Sequence, residues 1–224
     1  MNDTAKLPAV RLTPRLAAAA ELVRKDKVIC DVGTDHALLP CYLYQNGARD
    51  IIASDVKDGP LDAARENIRR YGAEGCIRTV KSDGLKEIDY AEDIIIAGMG
   101  GELIARILAE CEFLGSDTRL ILQPMTKAEV LRRELYRLGF EIISETLVRE
   151  SDRHYTVIYA GYTGKSVEVT ETFSYVGKLT DKEYLNRQAA VLAAAAEGCE
   201  GSDPDRAERL RTLAEEIERY AERL

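Results

Sequence analysis

The sequence contains no C-x-x-C pair, and its five cysteines (Cys30, Cys41, Cys76, Cys111 and Cys199) are an odd number. Neither a disulfide framework nor a zinc knuckle is therefore expected, and the cysteines read as core filler. Histidine is scarce, with only His36 and His154. A metal centre would have to be built mainly of carboxylates, and neither H-E-x-x-H nor a calcium-loop spacing occurs, so no metal is expected. No apolar stretch approaches the roughly 18 residues that a membrane span requires. The run from Leu16 to Ala20 is too short for the apolar core of a signal peptide, and Glu21, Arg24 and Lys25 follow it at once. These absences point to the cytoplasm. G-x-G-x-x-G is missing too, as are internal repeats and low-complexity linkers.

What remains is an ordinary globular composition, 46% hydrophobic and 31% charged. A chain of 224 residues holds one α/β domain and an appendage of roughly 60 residues. The net charge of −8 argues against nonspecific nucleic-acid binding, which rests on many Lys or Arg contacts to phosphate. A local basic face is compatible with it. Residues 1–30 carry Lys6, Arg11, Arg15, Arg24, Lys25 and Lys27 against Asp3, Glu21 and Asp26, a net +3. A solvated helix face explains that excess equally well.

From Val28 to Ala160 short β-branched runs alternate with helical patterns, which predicts a parallel sheet with crossover helices. The expected strands are Val28–Val32, Ile51–Asp55, Ile77–Lys81, Asp93–Ala97 and Arg119–Gln123. Pro60 suits the first turn of a helix that stops at Gly72, and Thr126 to Glu129 reads as a capping box for a helix ending at Gly139. Phe140–Val148 and His154–Tyr162 then read as an antiparallel hairpin completing the sheet. Beyond about Gly164 the pattern becomes helical. Thr180 to Glu183 reads as a second capping box, for a helix through about Glu197, and Asp203-Pro204 opens another. In that last helix Ala207, Leu210, Ala214, Ile217, Ala221 and Leu224 are spaced as a coiled-coil seam. Residues 1–163 and 164–224 are thus expected as two domains, the second a helical hairpin.

In a doubly wound sheet the ligand sits at the carboxyl ends of the strands. The first strand ends in Asp31-Val-Gly33-Thr-Asp35-His36. Gly33 permits a tight turn, but an acid beside a phosphate would repel it, so the tip favours a cationic ligand. Asp31 can accept hydrogen bonds from an ammonium while backbone N–H groups of the next helix hold a carboxylate. Asp55, with Val56 beside it, ends the second strand 24 residues after Asp31, near the offset at which an acid grips ribose hydroxyls. Ser82, Asp83 and Gly84 follow the third strand, where Asp83 can accept an exocyclic amine. Ala97, Gly98, Met99, Gly100 and Gly101 end the fourth, leaving room for a ligand and an acceptor to meet. An amino-acid end, a ribose and an adenine laid over successive tips describe S-adenosylmethionine. Taken singly these residues read as helix caps, turns and loops; their order after successive strands carries the argument.

The phrases DVGTDHALLP, GPLDAARENI, SDGL, IIIAGMGGELIARIL, LILQP, LRRELYRLGFEI and HYTVIYA resemble, in order, the bacterial tRNA (adenine-22-N1)-methyltransferase family. The resemblance covers about residues 10–160 and, more loosely, the tail. It implies a Rossmann-like class I methyltransferase sheet followed by a coiled-coil-like helical domain. It also implies methyl transfer from S-adenosylmethionine to N1 of an adenine in the D-arm region of tRNA. By the resemblance Asp31, Gly33, Asp35, His36, Asp55, Asp83, Gly84, Gly98, Met99 and Gly100 line the cofactor and acceptor site. Asp35, Met99 and Gly100 are expected nearest the chemistry. Leu12-Thr13-Pro14-Arg15-Leu16 resembles the family's L-S-x-R-L and would bring Arg15 to the mouth. Met125 stands where the family usually has asparagine after L-I-L-Q-P; Gln123 and Pro124 remain candidates for shaping the acceptor pocket.

Adenine N1 has an in-plane lone pair, so positioning is the main catalytic device expected. N1 lies on the Watson–Crick edge, so the base must be unpaired or flipped out. Arg11, Arg15, Lys25, Lys27 and the tail are the expected RNA contacts of a monomer or weak dimer. The competing readings are a methyltransferase for another RNA position or a small molecule, and a noncatalytic RNA-binding protein that keeps the fold.

Overall fold

The computed structural model describes residues 8–224, so Asp3 and Lys6 of the basic N-terminal count lie outside it. The chain divides into two compact units, Met1–Ser166 and Val167–Leu224. Among the described residues no helix is long and apolar enough to cross a membrane.

In the first unit the elements run α1 (Pro14–Glu21), β1 (Ile29–Val32), α2 (Leu38–Gln45), β2 (Ile51–Asp55), α3 (Asp58–Arg70), β3 (Ile77–Lys81), β4 (Asp93–Gly100), α4 (Gly101–Ala109), β5 (Arg119–Thr126), α5 (Ala128–Arg137), β6 (Phe140–Glu150) and β7 (Arg153–Tyr162). The strands form one sheet in the order β3-β2-β1-β4-β5-β7-β6. β1 to β5 pair in parallel, and β7 pairs antiparallel with both β5 and β6. This is the expected Rossmann-like sheet of five parallel strands closed by a hairpin. Side chains alternate across the pleat. Ile29, Ile95 and Ile121 therefore pack with α1, α2 and α3 residues such as Ala20, Leu39 and Ile68. Cys30, Ile94, Ile96 and Leu122 pack on the opposite face with Ile104, Leu108, Leu131 and Leu135 of α4 and α5. All five cysteines are free; burial raises Cys30 to about 12 and Cys41 to about 11, which suits unreactive core thiols.

Two capping boxes are displaced. β5 runs on to Thr126, which pairs with Gly100, so this threonine is occupied by the sheet and Lys127 caps α5 from a left-handed conformation, φ +57°. In the second unit the order is α6 (Glu171–Val176), α7 (Lys182–Cys199) and α8 (Pro204–Glu222). Asp181, not Thr180, caps α7 by accepting from Tyr184 N at 2.8 Å, the stronger cap former displacing its neighbour by one residue. Asp203 caps α8 as expected, from Arg206 N at 3.1 Å. The α7–α8 core holds Leu185, Ala189, Leu192, Leu213, Ala214, Ile217 and Ala221. Leu213 joins the expected seam, whereas Leu224 lies past the end of α8 and is exposed. α6, six residues long, is too short for a periodicity to announce it.

Two ion pairs sit at the amino-terminal edge of the parallel strands, where β4 begins. Asp93 is fully buried and accepts from Arg24 N at 2.6 Å, Nε at 2.8 Å and Nη2 at 2.5 Å. Lys27 meets Glu92 at 2.9 Å near the surface. Removing one partner of a buried pair strands the other charge, whereas an exposed pair contributes little. Arg24→Ala should therefore lower the unfolding free energy by roughly 3 kcal/mol and Lys27→Ala by far less. Urea denaturation of the two variants measures the difference.

Candidate functional site

A cavity of about 290 Å³ opens at the carboxyl ends of β1 and β4, walled by Asp31, Gly33, Thr34, Asp35, His36, Ala97 and Gly98, with Leu38 and Leu39 of α2 and Arg15 and Leu16 of α1. β1 and β4 are neighbours although β2 and β3 intervene in sequence, so this is the point at which strand order reverses and a crevice is left between diverging connections.

The β1 tip has little freedom. Gly33 N and Thr34 N both donate to Ser54 O, at 2.8 and 2.9 Å, which turns the chain out of the strand. Gly33 has φ +74°, and a Cβ there would strike the Met99 methyl. The positive φ is what calls for glycine, since the Met99 methyl ends a flexible side chain that can move aside. Asp35 and Ala37 are also left-handed, each with φ 52°, a conformation uncommon for side chains other than Asn and Asp. Ala37 caps α2 without any side-chain hydrogen bond, so helix capping does not account for the acids of this tip. Asp35 and His36 stand exposed at the mouth, His36 Nε2 lying 3.5 Å from Asp35 Oδ1.

Asp31 is buried, and burial pushes its carboxyl up to about 6; the charge of Asp55 adds to the rise and Thr34 opposes it. The Thr34 hydroxyl lies buried without reaching hydrogen-bond geometry to any group. A buried carboxylate with no cation and, beside it, a buried hydroxyl that falls short of full hydrogen-bond geometry both face one cavity. Such groups are costly unless a ligand satisfies them. They fit the ammonium end of an amino-acid ligand, as the sequence reading required of S-adenosylmethionine.

Other expected residues are placed differently. Asp55 is half-buried and accepts from Lys57 N at 3.0 Å through one oxygen, and Val56 is exposed beside it. Ser82 is buried in a turn, donating to Gly84 O at 2.8 Å and accepting from Glu87 N at 3.2 Å. Gly84 packs under Ile107 with φ +68°. Asp83 is turned onto Lys86 at 2.8 Å, whose ammonium holds its carboxyl below the usual range. Asp55, Val56, Ser82, Asp83 and Gly84 follow the β2 and β3 tips, alongside the cavity and not among its walls.

Gly98 faces open space, so a ligand could approach its backbone. Met99 and Gly100, expected at the reacting centre, do not line the cavity: Met99 covers Gly33, and a Cβ on Gly100 would crowd Thr126 Oγ1 at 3.3 Å. Gln123 is fully buried. It accepts from Gly98 N at 3.1 Å and donates to Pro124 O at 3.0 Å and Met125 Sδ at 3.6 Å, so its amide pins the β4 bulge and has no direct path to a substrate. Pro124 is buried next to it.

Of the expected RNA contacts, Arg15 reaches the cavity wall. Its guanidinium pairs with Glu150 and stacks over Tyr155, 5.2 Å from the ring centre, and its Nε is buried without a partner. Arg11 is exposed just before α1. Lys25 and Lys27 lie before β1, at the opposite edge of the sheet beside Glu92, and are separated from the site by the length of the strand. Sequence reading missed Thr34, Leu38 and Leu39. Only their place inside DVGTDHALLP, as a polar residue on a buried tip and an apolar pair beside it, could have flagged them. Among the described residues no group of three His, Cys, Asp or Glu side chains gathers in a way that would hold a metal ion.

Comparison with known proteins follows the same outline. The family model described as a methyltransferase domain matches residues 12–158. The Bacillus subtilis tRNA (adenine(22)-N(1))-methyltransferase is 39% identical over 155 residues, covering 67% of this chain and 65% of that protein. The chain thus aligns with just under two thirds of that relative's length. The crystal structure of the B. subtilis m1A22 tRNA methyltransferase superposes with a TM-score of 0.82 at 28% identity, covering 93% of this chain and 99% of that one. A Streptococcus pneumoniae protein in complex with S-adenosyl-L-methionine gives 0.76 at 30% identity, covering 93% and 100%. Because the family match contains every residue of the cavity wall, the chain belongs to the methyltransferase-domain family.

Proposed function

We propose that this protein transfers a methyl group from S-adenosylmethionine to N1 of the adenine at position 22 of tRNA, in the cytoplasm. The observation that carries the cofactor half is the cavity at the strand-order reversal, with buried Asp31 and the buried Thr34 hydroxyl on its wall. The substrate half rests on likeness to the Bacillus subtilis enzyme, in sequence and in fold.

When bound, S-adenosylmethionine supplies an electrophilic sulfonium methyl. Asp31 holds the ammonium of its amino-acid end, Thr34 offers the hydroxyl, and Gly33 lets the chain approach closely. Asp55 is placed for the ribose hydroxyls and Val56 for an apolar contact with the base. Gly98 leaves the acceptor side of the cavity open. Adenine N1 attacks through a lone pair and need lose no proton first, so the residues around it act mainly by orientation. The positive charge that develops on the adenine is stabilised by the Asp35 carboxylate at the mouth, which can also accept the N6 proton. Asp83 gives Oδ2 to Lys86 and keeps Oδ1 as an acceptor for the adenine amine.

We read the first unit as carrying the chemistry, since every cavity residue belongs to it. Residues 167–224 carry eight Lys and Arg against thirteen Asp and Glu, a net −5, which gives no excess of cations for phosphate contacts.

The cofactor's amine and carboxyl keep their charges between pH 5 and 7, so a change in its affinity there reports the protein. Asp31 is raised from 3.8 to about 6 in the free fold, which makes its contribution to stability greatest below about 4 and lost as pH rises through 6. Binding an ammonium demands the ionised form and runs the other way. Affinity should be about tenfold weaker at pH 5 than at pH 7, with protons released on binding below pH 6. Asp31→Asn should bind weakly and lose the dependence. Calorimetry at the two pH values decides; a dependence that survives in Asp31→Asn would show that Asp31 is not the group responsible.

For the reaction itself, incubation with methyl-labelled cofactor and total tRNA, followed by digestion to nucleosides, should place the label in 1-methyladenosine. Label in another nucleoside would move the target, and no transfer despite cofactor binding would leave a binding protein or a small-molecule enzyme.

A further inference from the structure

The sheet does not use the whole of its last hairpin. β5 and β7 pair from Arg119↔Gly161 to Leu122↔Ile158, whereas β6 and β7 stay paired for five further rungs, from Thr146↔Val157 to Glu150↔Arg153. That end of the hairpin is a two-stranded ribbon running free of β5, at the sheet edge where the cavity opens. Its attachment is to α1 instead. Glu150 accepts from Arg15 N at 3.3 Å and pairs with the Arg15 guanidinium, which lies over Tyr155, and Val148 packs against the α1 side of the core. Alternation puts Val148, Glu150, Tyr155 and Arg153 on one face and Arg149 on the other, so the two arginines flank the ribbon tip from its two sides. The turn is tight, with Ser151 at φ +54° between the strand ends.

Arg149 and Arg153 at this tip are exposed, and neither has an ion-pair partner among the described residues. Many cations of the unit are committed: Arg24 to Asp93, Lys27 to Glu92, Lys81 to Asp58, Lys86 to Asp83 and Glu110, Arg132 to Glu145. Asp31, Asp35 and Asp55 stand at or just beyond the carboxyl ends of β1 and β2, away from the hairpin. The hairpin turn also holds the exposed Asp152, and Glu150 is taken up by Arg15, so Arg149 and Arg153 leave the tip with one cation more than its free acids, a local surplus that draws phosphate.

We propose that the free β6–β7 ribbon is a phosphate-contacting wing for the RNA substrate. Arg149 and Arg153 meet phosphates flanking the reacting nucleotide, and the Arg15–Glu150–Tyr155 cluster fixes the wing against the cavity wall. This rests on the tRNA reading and adds the surface through which tRNA is held. Phosphate contacts of this kind position the substrate and are sequence-independent, as suits an enzyme that must hold a large RNA at points away from one base.

The test compares Arg149→Glu/Arg153→Glu with a charge-matched control, Arg69→Glu/Arg70→Glu, whose exposed residues lie in the last turn of α3. Total tRNA is the probe, in filter binding across a salt series, with methyl transfer, S-adenosylmethionine calorimetry and thermal unfolding run on the same samples. The ribbon variant should keep its cofactor affinity and melting temperature, lose tRNA affinity by about tenfold or more, and show a salt slope shallower by about two. The control should stay within about twofold of wild type. Equal losses in both variants, or none in the ribbon variant while wild type methylates tRNA, overturn the wing alone. A wild type that neither binds nor methylates tRNA overturns the wing together with the substrate reading.

Discussion

The adjacency of β1 and β4 decides where everything else can act. After β1 the chain winds outward through β2 and β3, then returns to the other side of β1, so the connections leaving these two strands diverge and no helix can fill the gap between them. The sheet beneath is held by isoleucines on both faces, Ile29 and Ile95 on one and Ile94 and Ile96 on the other, all fully buried. Such a base does not deform when polar groups are placed at its rim. That rigidity is what allows a buried Asp31 and a buried Thr34 hydroxyl short of full hydrogen-bond geometry to persist at a strand end, a combination that would favour local rearrangement in a softer frame.

α1 adds a second constraint. Just beyond its carboxyl end Arg24 is locked to Asp93 at the entry to β4, and at its amino end Arg15 is held by Glu150 at the exit side. Helix and strand thus span the sheet in opposite directions with an ion pair at each edge. The same arrangement explains why the basic N-terminal residues separate into two groups. Arg15 reaches the cavity wall, whereas Lys25 and Lys27 are carried to the far side, and sequence proximity gives no hint of the separation because α1 lies between them.

What could be read from the chain follows from how local each determinant is. The β-branched runs, the glycine stops and the hairpin depend on neighbouring residues, and they were legible as strands and fold class. Asp31 and Gly33 were legible because a strand tip concentrates polarity in few residues. Pairings across the fold were not. Nothing near Asp83 in the strand-tip pattern distinguishes a ligand acceptor from a partner of Lys86, three residues on. The buried pair of Arg132 and Glu145, at 2.7 Å, looks in sequence like two surface charges, one on an amphipathic helix and one in a strand. Thr126 carried a valid capping signal that lost to two more residues of sheet pairing.

Gln123 and Met125 show how a departure from a family pattern can be absorbed. The register of β4 against β5 shifts at Met99, which leaves the Gly98 amide without a ladder partner, and the Gln123 side chain supplies the missing acceptor. Its own amide nitrogen is then satisfied by the Pro124 carbonyl and by the Met125 sulfur, a weak acceptor. An asparagine in place of Met125 would present a donor and a stronger acceptor to the same glutamine and to the cavity side of the bulge. With methionine the glutamine is tied to the backbone and the exposed thioether offers an apolar surface. The cavity wall on this side is therefore the backbone around Gly98, with Asp35 across the mouth, and the β5 amide is turned away from it.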